Sequence, residues 1–268
     1  MKTIQLNQEQ IQAHFNKDKI KLNSQLPNSV ASTNDMAKEQ FKKYPNKLSI
    51  VATNKQTAGR GRQGRSFYSN LAHGLYFSIA VIPNSNCVED FPLYTLLAAT
   101  TLVEVLEETF ESPLSVKWVN DIFYQGRKVS GILSELVSYQ GQNGIVVGIG
   151  VNLAGSFAHA DKDAQNVAGT LFGEKLPASF NQNEFLGQYL RRFYDYHQAF
   201  QEKAFMSVYE KHLMGIGKKV SYSVNNKQHE GTIQGINQKG QLLVMNSNHS
   251  IDTLYGQSIH FSSKQFIE

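Results

Sequence analysis

The sequence predicts an α+β protein: a mixed, largely antiparallel sheet carrying helices, followed by a small SH3-like β-barrel. Three observations lead there. Runs of β-rich segments joined by short turns lie between separated helical patterns. After Gly215-Ile216-Gly217 the texture changes to short strands only. Finally, 268 residues, 41% of them hydrophobic and 18% charged, suffice for one large and one small ordered domain. The expected division is residues 1–213 and 214–268.

Gln8 to Phe15 fits a short helix. Ser32-Thr33-Asn34-Asp35 has capping-box spacing and predicts a helix through Met36, Ala37 and Phe41 that stops before Pro45. Strands are expected at Leu48–Thr53 and Gly74–Ile82, and a long apolar helix over Phe91–Phe110. Four β-rich segments follow at Ser115–Val119, Ile122–Tyr124, Lys128–Val137 and Gly144–Leu153, with turns at Gln125-Gly126 and Gln140–Gly144. Gly155 to Gln165 reads as a polar loop. A helical block runs from about Asn183 to Leu213, with Phe185, Tyr189, Phe193 and Tyr196 as a core-facing aromatic stripe. The last part predicts short strands at Lys218–Val224, Gln228–Ile236, Gln241–Met245 and Ser250–Tyr255, with turns at Asn225-Asn226 and Gly240.

Composition excludes several functions. A formal charge of +4 is mild for this length and does not imply nucleic acid as the main partner. Cys87 is the only cysteine, so no intrachain disulfide forms, and a reducing cytoplasmic setting is expected. The start lacks the apolar core of a signal peptide, and the stretch around Leu75–Ile82 is too short to span a bilayer. No membrane association is expected. The eight histidines show no metal-ligand spacing, so no protein-built metal site is expected.

Three motifs carry chemistry. Residues 59 to 65 read Gly-Arg-Gly-Arg-Gln-Gly-Arg. Glycine gives the backbone freedom and close approach, and arginine offers a planar charged fork for carboxylate and phosphate. Alone, such a run would also fit a solvated basic turn. The second motif is Val116-Lys117-Trp118-Val119-Asn120-Asp121 with Gly126-Arg127-Lys128-Val129-Ser130-Gly131-Ile132-Leu133-Ser134-Glu135. In a strand, Lys117 and Trp118 face opposite ways, and Gly131 hints at close approach by a ligand or another backbone. The third is Gly148-x-Gly150-x-Asn152. Its glycines share one side of a strand and leave it bare, either as a slot for a flat apolar ligand or as a crossing point for a bulky neighbour. It is not a dinucleotide fingerprint, because a third glycine and a following helix are missing.

In this order, Ser32-Thr33-Asn34, Gln56-Thr57-Ala58, the 59–65 run, Lys117-Trp118-x-Asn120-Asp121, Arg127-Lys128-x-x-Gly131-Ile132-Leu133-x-Glu135 and Gly148-x-Gly150-x-Asn152 resemble the biotin protein ligases over nearly the whole chain. The resemblance implies a class II synthetase-like catalytic domain of the biotin/lipoate ligase kind. It implies an ATP-dependent ligase that makes biotinyl-5′-AMP and passes biotin to one lysine of a biotin carboxyl carrier domain. Ser32, Thr33, Asn34 and Gln56 would bind the ureido end of biotin, with Gly131 and Gly148 also lining the biotin site. Arg60, Gly61 and Arg62 would lie in a loop that orders over biotin and the phosphates. Lys117 would reach the biotin carboxylate and the α-phosphate, and would share the catalytic work with Arg60 and Arg62. Arg62, Arg65, Phe67, Asn120 and Asn152 would serve the nucleotide, with Asn152 at adenine. Mg²⁺ would arrive with ATP.

Two positions depart from the family pattern. Val119 stands where Pro is usual, and Phe67 stands where Trp is usual, which offers less area to adenine. Only 31 residues precede Ser32, too few for the winged DNA-binding domain that many relatives carry, so no DNA partner is expected. A homodimer is one assembly the resemblance allows. Lipoate or octanoyl transfer on a related scaffold, and a binding module without turnover, are the competing readings.

Overall fold

The computed structural model describes residues 5–85, 87–110, 113–224 and 227–256. The chain runs α1 (Gln8–Ala13), β1 (Asn23–Gln25), α2 (Thr33–Lys43), β2 (Ser49–Thr53), β3 (His73–Val81), α3 (Leu93–Glu107), β4 (Leu114–Lys117), β5 (Asp121–Tyr124), β6 (Arg127–Tyr139) and β7 (Gln142–Ala154). It continues through α4 (Lys162–Val167), α5 (Gln182–Gln198), α6 (Phe205–Lys211), β8 (Lys219–Val224), β9 (Lys227–Ile236), β10 (Leu242–Asn246) and β11 (Ile251–Leu254). The first seven strands form one sheet in the order β1-β2-β3-β7-β6-β5-β4. Only β1 and β2 are parallel, joined by α2; every other neighbour in that sheet is antiparallel. The expected mixed, largely antiparallel sheet is therefore present.

Strand alternation sorts the two faces of this sheet. Ile50, Ala52, Phe77, Ile79, Val147 and Ile149 face the large core, together with α3 and α5. Nearly all of α3 is buried, because sheet covers one side of it and α5 and α6 pack against it elsewhere. The aromatic stripe of α5 joins this core through Phe185, Tyr189 and Phe193, while the half-buried Tyr196 donates its hydroxyl to Glu104. On the opposite face α2 is the one helix packed among the described residues, with Ala37 and Phe41 against Val51, Ala80, Val137 and Val146. Beyond α2 that face carries Ser78, Gly131, Gly148 and Gly150, which lie side by side on β3, β6 and β7. A stretch of sheet with small residues and a single helix beside it is where a cleft forms.

The four last strands make an antiparallel sheet in the order β11-β10-β9-β8, the small β module expected after residue 217. Val220, Tyr222, Ile233, Leu242 and Val244 bury their side chains in a cluster continuous with the main core. The turn expected at Asn225-Asn226 lies outside the described residues.

Several local expectations differ. Ser32 precedes α2 in extended conformation but makes no side-chain capping bond, so the capping box is not formed. The segment 155–165 is not all loop: Asp161 accepts a hydrogen bond from Ala164 N at 2.7 Å and starts α4. The helical block breaks at residues 199–204, where Lys203 is left-handed at φ 51°. Strand β1 was not expected, since Asn-Ser-Gln has no strand propensity of its own and pairs only because β2 lies beside it.

Candidate active site

The cleft floor is built where the N-terminus of α2 meets the bare part of the sheet. Residues 30 and 31 are zipped to residues 55, 57 and 58 by backbone bonds, with Val30 N donating to Lys55 O at 3.2 Å and Ala58 N to Ala31 O at 2.9 Å. This brings Gln56 beside α2, where its Oε1 accepts from Thr33 N at 2.7 Å and from Thr33 Oγ1 at 3.0 Å. The Ser78 hydroxyl lies 2.7 Å from Thr33 Oγ1 and 2.6 Å from Asn34 Oδ1. Asn34 Nδ2 donates to Glu135 Oε2 at 2.6 Å and to Leu133 O at 3.2 Å. These buried groups hold one another in fixed orientation, so the floor is polar and rigid. Ser32, whose hydroxyl is not spent on the helix, lines the same cleft.

The sheet glycines make this floor possible. A Cβ on Gly148 would sit 1.9 Å from Asn34 Oδ1, and one on Gly150 would sit 2.6 Å from the Phe67 ring. The bare side of β7 is thus filled by Asn34 and Phe67, the crossing-point alternative, and not left open as a slot for a flat ligand. Gly131 meets the same ring, at 3.0 Å. We expect Gly148→Ala to evict the Asn34 side chain and to cost about 1–3 kcal/mol of stability. The fall should appear in the urea unfolding midpoint, and an unchanged midpoint would mean that Asn34 is not seated as described.

The far wall carries positive charge. Lys117 ends β4 and is buried, with only 9% of its surface exposed. Its pKa is lowered to about 8: burial is the main cause, Lys128 and Arg65 add to the lowering, and Asp121 opposes them. Asp121 pairs with Lys117 in register across β4 and β5 and forms an ion pair with Lys128 at 2.7 Å. Lys128 and Asp121 both line the cleft, as does Trp118. Lys128 and Asp121 lie within the second sequence motif, but their spacing assigns neither a role. The hairpin that puts both side chains on the Lys117 face is what the sequence did not reveal.

The 59–67 segment lies across the cleft. Gly61 N donates to Arg65 O at 2.7 Å and Phe67 N to Gly59 O at 2.9 Å, which folds it into a narrow loop. Arg60 lines the cleft, but its guanidinium grips Asp35 with bonds of 2.6 and 2.5 Å and reaches Glu135 at 3.4 Å. The Arg60 hydrogen bonds hold the Asp35 carboxyl below its ordinary pKa. Burial pushes the Glu135 pKa up, but hydrogen bonds from Lys38 and Asn34 outweigh it and leave it lowered. Arg62 donates to Asn120 Oδ1 at 3.0 Å and to the Gly256 carbonyl, and its pKa is lowered by burial. The loop is therefore clasped at two points, to α2 by Arg60 and to the C-terminal module by Arg62.

The cleft gathers Ser32, Thr33, Asn34, Gln56, Gly131 and Gly148 on one side with Lys117, Asn120, Arg62 and Arg65 on the other, and Arg60, Gly61 and Phe67 complete its wall. Asn152 is not part of that wall. It is 3% exposed, and its amide donates to Gly169 O at 3.1 Å and Lys128 O at 3.4 Å. On β7 it follows Gly150 on the cleft-facing side of the sheet, one step past the part that lines the cleft. Chemically, a rigid polar floor and a cluster of cations suit a ligand with a neutral hydrogen-bonding head and an anionic tail next to phosphate.

Known proteins match this chain on both sequence and fold. Residues 26–152 match the model of the Biotin/lipoate A/B protein ligase family. The chain is 29% identical over 234 residues to the bifunctional ligase/repressor BirA of Bacillus subtilis, which covers 86% of this chain and 71% of that protein. It is 36% identical over 110 residues to the biotin--[acetyl-CoA-carboxylase] ligase of Paracoccus denitrificans, over 40% of this chain and 45% of that one. Its fold matches the biotin protein ligase from Aquifex aeolicus solved in complex with biotin and ATP. That match has a TM-score of 0.71 and 29% identity, and covers 90% of this chain and 99% of that one.

Proposed function

We infer that this chain, which belongs to the biotin/lipoate protein ligase family, is an ATP-dependent ligase that activates biotin as biotinyl-5′-AMP and transfers it to a lysine of a biotin carboxyl carrier domain. The observation that carries the reading is the joining, in one cleft, of the Ser32-Thr33-Asn34-Gln56 floor with the buried Lys117 and its neighbouring cations.

On this reading the floor binds the ureido ring, whose carbonyl and N–H groups match fixed donors and acceptors. The biotin tail then points its carboxylate at Lys117. A carboxylate oxygen attacks the α-phosphorus of ATP, the bond to the β-phosphate oxygen breaks, and pyrophosphate leaves. Lys117, Arg65 and Lys128 stabilise the charge that gathers on the phosphate oxygens, while Arg62 fastens the loop to Asn120 and Gly256. Asp121 is already engaged by Lys128, so magnesium enters as part of the MgATP substrate, held by the phosphates and water. In the second step the acceptor ε-amine attacks the acyl carbon, AMP leaves, and the amine loses its extra proton. Between the steps the 59–67 loop shields the mixed anhydride from water. Arg60 serves by holding that loop to α2 through Asp35. Phe67 and Asn120 border the nucleotide side. Asn152 keeps its Nδ2 on the Lys128 and Gly169 carbonyls and offers adenine its Oδ1, which is buried without a hydrogen-bond partner.

Pyrophosphate exchange into ATP that requires biotin tests the first step. Exchange driven by lipoate or octanoate, with none by biotin, would favour the related acyl-transfer chemistry instead. A pH dependence follows as well. Lys117 is charged below about pH 8 and neutral above, so kcat/KM for adenylation should hold up to about pH 8 and then fall toward tenfold per unit. The carrier step should not fall over the same range, because the attacking amine gains free base as pH rises. A flat adenylation profile from pH 7 to 10 would remove Lys117 from the charge-stabilising role.

A further inference from the structure

Both residues that flank Lys117 are tied to the C-terminal half of the chain. Val116 N donates to His212 O at 2.7 Å and Met214 N to Val116 O at 2.9 Å, so the connection into the C-terminal sheet lies beside β4. The Trp118 indole Nε1 donates to the Gly240 carbonyl at 3.0 Å, and Tyr209 OH donates to Val119 O at 3.1 Å. Lys117 itself lines the active-site cleft.

The Gly240 turn is a rigid anchor. Asn237 Oδ1 accepts from Lys239 N at 2.9 Å and from Gln241 N at 3.1 Å, and Gly240 N donates to Asn237 O at 2.8 Å. Gly240 has φ +72°, and a Cβ there would meet Leu96 and Leu93 at 2.8 and 2.9 Å, so the turn is pressed onto the first turn of α3. Lys239 is paired with Glu89 on the neighbouring surface. Trp118 also separates two clefts: it lines the active site on one side and, on the other, a cleft between α3 and this turn.

We propose that Trp118 is a positioning residue, held by the Gly240 turn, that sets the place of Lys117, and that the C-terminal sheet acts on adenylation through it. The proposal rests on the ligase reading above. It explains why a small β module is packed into the main core: its turn forms part of the frame that aims the catalytic lysine. Losing that anchor lets the strand end relax, which lets Lys117 reach solvent and weakens its aim at the α-phosphate.

The test uses the full chain with two variants. Trp118→Phe keeps a ring but loses the donor, and Asn237→Ala loosens the turn without touching the cleft. In both, the rate constant for biotinyl-AMP formation should fall about tenfold, as for one lost hydrogen bond, with KM for biotin within twofold of wild type. The break in the pH profile of kcat/KM should also move upward from about 8 toward the ordinary lysine value, because Lys117 becomes better solvated. A role in stability alone would lower the melting temperature and leave that break in place. Wild-type rate and break in both variants would overturn the proposal, as would a loss of rate that tracks melting temperature with the break unmoved. Failure of the wild-type chain to make biotinyl-AMP would instead overturn the ligase reading on which the proposal rests.

Discussion

Lys117→Ala should slow formation of biotinyl-AMP by about a hundred- to a thousandfold, the usual cost of removing one preorganised charge from a transition state. The expectation follows from burial. Lys117 is held at the end of β4 with little exposure and a pKa lowered chiefly by desolvation, which is the position of a cation kept for a buried anion. Lys128 and Arg65 act on the same wall, but neither can replace it, because Lys128 is committed to Asp121 at 2.7 Å and Arg65 is on the exposed loop. Removing a buried charge should not lower stability, since the desolvation cost goes with it. Single-turnover formation of labelled adenylate, with a thermal melt as control, separates the two. A wild-type rate in a folded Lys117→Ala protein would show that charge stabilisation lies elsewhere.

Arg62→Gly should fail in a different way. Its guanidinium bridges the loop to Asn120 and to the Gly256 carbonyl, so its loss unfastens one of the two clasps and leaves Arg60 on Asp35 as the other. Hydrogen bonds from a charged donor are worth about 1.5–3 kcal/mol each. Losing this clasp of two such bonds should therefore speed release of biotinyl-AMP by at least roughly ten- to a hundredfold, the equivalent of one of them. Adenylate would still form, and free adenylate would label exposed lysines on bystander proteins. A chase with unlabelled biotin measures the release rate directly. Unchanged release with slower formation would mean that Arg62 belongs to the chemistry and not to the lid.

Much of this architecture was legible in the sequence, and the reasons differ by element. The long strands and α3 announce themselves by apolar patterning, since most of their side chains are buried on one or both faces. Ser32, Thr33, Asn34 and Gln56 stood out through the resemblance, and the structure brings them into one cleft, with Gln56 bonded to Thr33 at 2.7 and 3.0 Å. What stayed hidden depends on contacts between distant segments. Gly148-x-Gly150 could be read as bare, but nothing local says that Asn34 and Phe67 fill the space. Arg60 carried a charge suited to phosphate, yet its partners Asp35 and Glu135 come from α2 and β6. The tie between Trp118 and Gly240 joins two segments with no shared pattern at all. Spacing along the chain shows which residues share a face; it does not show which of them satisfy one another.

The most direct test of the central claim is to mix the purified chain with MgATP, labelled biotin and a biotin carboxyl carrier domain, alongside the same domain with its acceptor lysine changed to arginine. Label should appear on the acceptor lysine of the first domain only, with one AMP released per biotin attached. No biotinyl-AMP and no labelled carrier from the folded wild-type chain would contradict it.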